Sequence, residues 1–128
     1  MSKTVQLYAP ALYWAIPAEG RKELCNGCGP KGFGFLVPDT FYLLNISEAC
    51  NIHDFMYSTG LTIEDKNEAD RAFLNNANRM IDAKTWFPPL RFLRKRRALK
   101  YYMAVHLFGG DAYWAGKNDP NELGSVTV

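Results

Sequence analysis

A chain of 128 residues suits one folded domain with a single hydrophobic core. Its 48% hydrophobic and 22% charged content marks an ordinary soluble globule, and a net charge of +2 is too mild to argue for nucleic acid. Three cysteines allow at most one internal bridge, which excludes a disulfide-dense scaffold.

In chain order, residues 1–24 are mixed, with Tyr8, Leu12, Trp14 and Ile16 offering apolar contacts between prolines. Pro10 and Pro17 interrupt the best apolar stretch here, and no run is long enough to span a bilayer. Met1-Ser2-Lys3 followed by Thr4 and Gln6 lacks a signal-peptide core. Residues 25–38, Cys25-Asn26-Gly27-Cys28-Gly29-Pro30-Lys31-Gly32-Phe33-Gly34 and onward, are too glycine-rich for regular structure. Pro38-Asp39 then reads as a helix start with Asp39 as N-cap, and a first long helix is predicted from about Thr40 to Ser58, ended by Gly60.

Leu61 to Asn67 is a short connection, and a second helix is predicted from about Lys66 to Ala83. Short links of this kind favour antiparallel neighbours. Pro88-Pro89 separates a third, basic helix, roughly Leu90 to Phe108, stopped by Gly109-Gly110. Residues 111–128 form a short aromatic segment and a polar tail. The expectation is one mainly α-helical domain over residues 1–128, without repeats.

His53 is one of only two histidines, in Ala49-Cys50-Asn51-Ile52-His53-Asp54-Phe55-Met56-Tyr57, with Ala69-Asp70-Arg71-Ala72-Phe73 downstream. Burying adjacent His and Asp side chains without partners is costly. His53 and Tyr57 are four apart and share a helix face, while Asp54 is rotated by about 100°. From an antiparallel second helix, Asp70 can accept a hydrogen bond from one nitrogen of His53 and leave the other to take a proton. Tyr57 can donate to the same carboxylate. Asp54 is then available to a hard cation, with carbonyls of the glycine-rich loop as further ligands.

These residues resemble the secreted-type, calcium-dependent phospholipase A2 superfamily. Cys50-x-x-His53-Asp54-x-x-Tyr57 matches the family's first catalytic helix, and Asp70 stands where its second helix carries the partner Asp. The short interval between the helices, and Ala69-Asp70-Arg71-Ala72-Phe73, are similar to the compact prokaryotic enzymes and to phospholipase domains of parvoviral capsid proteins. The match covers roughly residues 25–80.

The resemblance implies a small phospholipase A2-like domain, two antiparallel helices carrying the site beside a glycine-rich calcium loop. Its activity would be calcium-dependent hydrolysis of the sn-2 acyl ester of glycerophospholipids. His53 would be the base on a water, Asp70 its orienter and Tyr57 a support. Ca2+ would lie on Asp54 and the carbonyls of Gly27, Gly29 and Lys31, with the Gly29 amide facing the oxyanion; Lys31 stands where the family prefers glycine. Cys28 and Cys50 would form the bridge between loop and helix. A phospholipid membrane would be the partner, no nucleic acid is expected, and a secreted or virion-associated setting is favoured.

Two other readings use the same residues. Cys25-x-x-Cys28 with Cys50-x-x-His53 offers four zinc ligands, which would make the chain a zinc-stabilised binding module with a basic helix for nucleic acid or membrane. A phospholipase-like scaffold without turnover is the third reading, against which stands the intact set His53, Asp54 and Asp70. Arg91, Arg94, Lys95, Arg96, Arg97 and Lys100 read either as a solvated helix face or as a platform for anionic headgroups, with Trp86, Phe87 or Phe92 at the interface. His106 is given no role.

Overall fold

A computed structural model describes residues 5–17, 19–20, 40–118 and 120–127 of the chain, and these are mainly helical. Residues 40–45 depart from the expected helix. They form an antiparallel hairpin, β1 (Thr40–Phe41) and β2 (Leu44–Asn45), with Thr40 opposite Asn45 and Phe41 opposite Leu44. A β-branched residue and an aromatic favour the pleated conformation, and the hairpin lets Phe41 bury completely.

The turn residues Tyr42 and Leu43 have φ of +48° and +74°. Two-residue hairpin turns of this hand normally use Asn-Gly, because a side chain in the left-handed region costs roughly 1–2 kcal/mol per residue. Asn45 then accepts a 2.8 Å bond from the Ser47 amide, and the first long helix, here α2 (Ser47–Thr59), starts at Ser47 instead of Thr40. Asp39, the expected N-cap, lies outside the described residues.

The second long helix, α3 (Ile63–Lys84), starts earlier than expected because Thr62 and Asp65 form a capping box. Thr62 Oγ1 accepts from the Asp65 amide at 3.1 Å, and Asp65 Oδ2 accepts from the Leu61 and Thr62 amides. Only Gly60, Leu61 and Thr62 therefore separate α2 from α3. The third long helix, α4 (Pro88–Phe108), takes Pro88 into its first turn, where a missing N–H costs nothing. Short helices among the described residues include α1 (Ala11–Ala15) and α5 (Gly110–Trp114), the second directly after α4.

Partners along α2 and α3 run in opposite order. Tyr57 meets Lys66 at the loop end, and His53 meets Asp70 and then Phe73 further away, so the two helices are antiparallel. Lys66 likewise meets Val105 and His106, while Asp82 meets Arg91 and Lys95, so α4 returns antiparallel along α3. Ala49 and Cys50 of α2 join Phe41, Ile46, Phe73, Ala77, Ile81 and Ala98 in one core cluster. Ile52, Phe55 and Met56 face Tyr13, Ala69 and Ala72 in another, so α2 is covered on two sides. Asn76, fully buried, accepts from the Tyr8 amide and donates to the Tyr8 carbonyl, both at 2.7 Å, and so holds the N-terminal segment on α3.

Of α4, only Arg94 and Ala98 are buried. The Arg94 guanidinium donates to the carbonyls of Phe41 and Tyr42 at 3.0 and 2.7 Å and to Thr85 Oγ1 at 2.6 Å. It pins the hairpin to α4. Arg94→Met should therefore destabilise the fold by about 2–3 kcal/mol, because it strands buried acceptors of a charged donor. Urea unfolding checks this, and an unchanged midpoint would show that the hairpin is held by other contacts.

Candidate active site

The α2–α3 antiparallel pair brings His53, Tyr57 and Asp70 together. His53 Nε2 lies 2.8 Å from Asp70 Oδ1, and the Tyr57 hydroxyl donates to the same oxygen at 2.7 Å. Asp70 is fully buried and His53 is 7% exposed. Burial alone would raise the Asp70 carboxyl, but hydrogen bonds from His53, Lys66 and Tyr57 outweigh it and hold the group below its ordinary value. An ionised Asp70 accepts from Nε2–H of His53. That fixes the tautomer with the basic lone pair on Nδ1.

Tyr57 is held as a donor. Burial first, and then the hydrogen bond to Asp70, raise its phenol far above the usual range, so it keeps its proton. Its ring lies 4.1 Å from the His53 ring, centroid to centroid, and packs edge-on against Tyr113. Gly109, at the end of α4, passes so close that a Cβ there would sit 2.7 Å from the Tyr57 hydroxyl oxygen. Gly60 faces a similar limit, a Cβ there falling 2.6 Å from the Tyr113 hydroxyl. Neither position has space for a side chain.

Sequence reasoning missed Lys66. Only 3% exposed, it donates to Asp70 Oδ2 at 2.8 Å and to the carbonyls of Val105 and His106 at 3.2 and 3.3 Å. Those carbonyls belong to the last turn of α4, the negative end of the helix dipole, which attracts a cation; the Val105 carbonyl also accepts from the Gly109 amide at 2.9 Å. The available signal was the spacing, since Lys66 precedes Asp70 by one helical turn on the same face. Lys117 was also missed. Its ammonium donates to the carbonyls of Tyr57 and Gly60, closing the C-terminal end of α2, and it lies 3.7 Å from the Tyr113 ring centroid. Burial lowers its pKa, against the pull of Asp65. His106, given no role above, stands with Nδ1 3.7 Å from Asp70 Oδ2 and its ring stacked on Tyr102.

Asp54 is half-buried, one position beyond His53 on α2. Its carboxylate suits a hard, oxygen-liganded cation. Gly27, Gly29 and Lys31, expected as further ligands, lie outside the described residues, as do Cys25 and Cys28. Among the described residues, no group of three or more His, Cys, Asp or Glu is placed to hold a metal. Cys50 is 5% exposed in the core cluster of α2 and α3.

The basic residues of α4 do not act as one face. Arg94 is buried and occupied by protein acceptors, which corrects its expected place at a headgroup interface. Arg91 donates to the Thr85 carbonyl, and Lys95 pairs with Asp82 at 2.8 Å. Arg96 and Arg97 are exposed. No described helix is long and apolar enough to cross a membrane.

Comparison of the chain with protein-family models, curated proteins and solved structures finds no match.

Because the folded Asp70 carboxyl is depressed, its contribution to stability is complete above the ordinary value of 3.8 and is lost as pH falls through the lower folded value. Urea midpoints measured from about pH 6 to about pH 2 should fall steeply at the acid end. Asp70→Asn should lower stability by about 3 kcal/mol at neutral pH, since Lys66 stays buried without its counter-charge. It should also flatten the acid limb. Parallel curves for the two proteins would remove Asp70 as the group responsible.

Proposed function

We propose that this chain is a calcium-dependent hydrolase of the phospholipase A2 type, acting on the sn-2 acyl ester of glycerophospholipids. The observation that carries the reading is the buried His53–Asp70 pair, with Tyr57 on the same carboxylate oxygen. A histidine oriented by a buried, ionised carboxylate is equipped to take a proton from a water that attacks an ester carbonyl. The sn-2 position and the phospholipid class rest on the resemblance of Cys50-x-x-His53-Asp54-x-x-Tyr57 and Asp70 to that superfamily.

In this reading His53 Nδ1 accepts the water's proton and later returns it to the leaving alkoxide. Asp70 holds the ring and offsets the imidazolium charge. Tyr57 and Lys66 keep Asp70 ionised and in place. Asp54, with the carbonyls of Gly27, Gly29 and Lys31, would hold Ca2+, and the Gly29 amide would face the developing oxyanion. When bound, the cation polarises the ester carbonyl and stabilises negative charge on its oxygen. A Cys28–Cys50 bridge would anchor the loop to α2.

The test is release of fatty acid from phospholipid vesicles with calcium, with EGTA and with calcium restored, alongside metal analysis of the purified protein. Release that follows calcium, with no bound zinc, is the expected result. His53→Gln should lower the rate by roughly a thousandfold or more while sparing the unfolding midpoint. Asp54→Lys should abolish both activity and the response to calcium. No release together with one stoichiometric zinc would overturn the proposal and make Cys25, Cys28, Cys50 and His53 ligands.

A further inference from the structure

α4 buries only Arg94 and Ala98, and its opposite side is uncovered among the described residues. At about 100° per residue, Phe92, Arg96, Leu99, Met103 and Leu107 fall in one stripe directly opposite that buried line. The four apolar members, Phe92, Leu99, Met103 and Leu107, are 65%, 46%, 50% and 63% exposed. Successive members of the stripe are three or four residues apart, which is the spacing of a seam between two helices. Single exposed apolar residues are ordinary, but a continuous strip of this length marks a contact surface.

The charges along the helix select the occupant and its direction. Pro88–Phe108 contains no acidic residue, and its cations on the exposed side, Arg96 and Lys100, precede Met103. The first acid after the helix is Asp111, which is exposed. A parallel helix of the same sequence would set each cation beside its own equivalent. An antiparallel one centred on Met103 sets Arg96 opposite residue 110, beside Asp111 and near the negative end of the other helix. Two-fold symmetry repeats that pairing at both ends of the contact.

We propose that α4 packs antiparallel against α4 of a second copy of this chain, with the two-fold axis at Met103. Met103 meets its own equivalent, Leu99 meets Leu107 of the other copy, and Arg96 pairs with Asp111 of the other copy. With the stems of Arg96 and Lys100, the stripe supplies about 600 Å² on each copy, about 1,200 Å² in all, at the lower bound of a stable interface. The dimer therefore dissociates in the micromolar range. This pairing does not depend on the hydrolase reading.

The experiment is sedimentation equilibrium of the full chain from roughly 1 to 300 µM, where a monomer–dimer equilibrium is expected. Met103→Glu puts two carboxylates face to face on the axis and should weaken the dimer by roughly tenfold or more. Its melting temperature in dilute protein should stay unchanged, because residue 103 of the monomer stands in water. Arg96→Asp and Asp111→Arg should each weaken the dimer by roughly tenfold, and the two together should restore it. A monomer at every concentration would overturn the proposal, as would a dimer indifferent to Met103→Glu. Charge reversals that fail to rescue one another would overturn the antiparallel register. A chain that stays monomeric yet binds phosphatidylcholine vesicles through Met103 would overturn the pairing and assign the stripe to lipid.

Discussion

The buried carboxylate of Asp70 is the point on which the three long helices meet. One oxygen receives His53 and Tyr57 from α2, and the other receives Lys66 from its own helix. Through Lys66 the last carbonyls of α4 are drawn to the same place. A carboxylate without these donors would not stay ionised at full burial. With them it anchors the helix arrangement and sets the chemistry of His53 at once. The bonds that keep it charged are also the bonds that orient the histidine.

Support for the cluster reaches well beyond its members. The Thr62–Asp65 capping box sets where α3 begins, and hence where Lys66 and Asp70 fall relative to α2. Lys117 and Tyr113 close the other side of the same loop, Tyr113 donating to the Thr62 carbonyl at 2.5 Å. Gly60 and Gly109 let these parts approach without a side chain in the way. The site is therefore built by the junction of α2 and α3 and roofed by the α4–α5 corner. Arg94 serves a different junction, where the hairpin meets α4.

What the amino-acid order reveals on its own follows the range of the interaction. His53 and Tyr57 share a face through local spacing, and the short α2–α3 link supplies the antiparallel neighbour that carries Asp70 to them. Those relations were legible. The hairpin was not, because Tyr42-Leu43 lacks the Asn-Gly signature of its turn, and aromatic and aliphatic residues before Ser47 continue an apparently helical pattern. Lys66 and Arg94 were hidden for another reason. Both look like ordinary surface cations, and only contacts with residues some forty or fifty positions away bury them. The glycine-rich segment expected as a loop at residues 25–38 lies outside the described residues.

Lys66 gives the molecule an internal indicator of its own integrity. Its amine uses three hydrogen bonds at the α3–α4 seam and is shielded from solvent, whereas Lys84 and Lys100 are exposed. An acylating reagent can reach that nitrogen only when the seam opens, so its labelling rate counts opening events of that one boundary. The same event frees Asp70 from its cation and loosens the histidine. Slow chemistry at a single amine thus becomes a clock for how often the His53–Tyr57–Asp70 cluster comes apart.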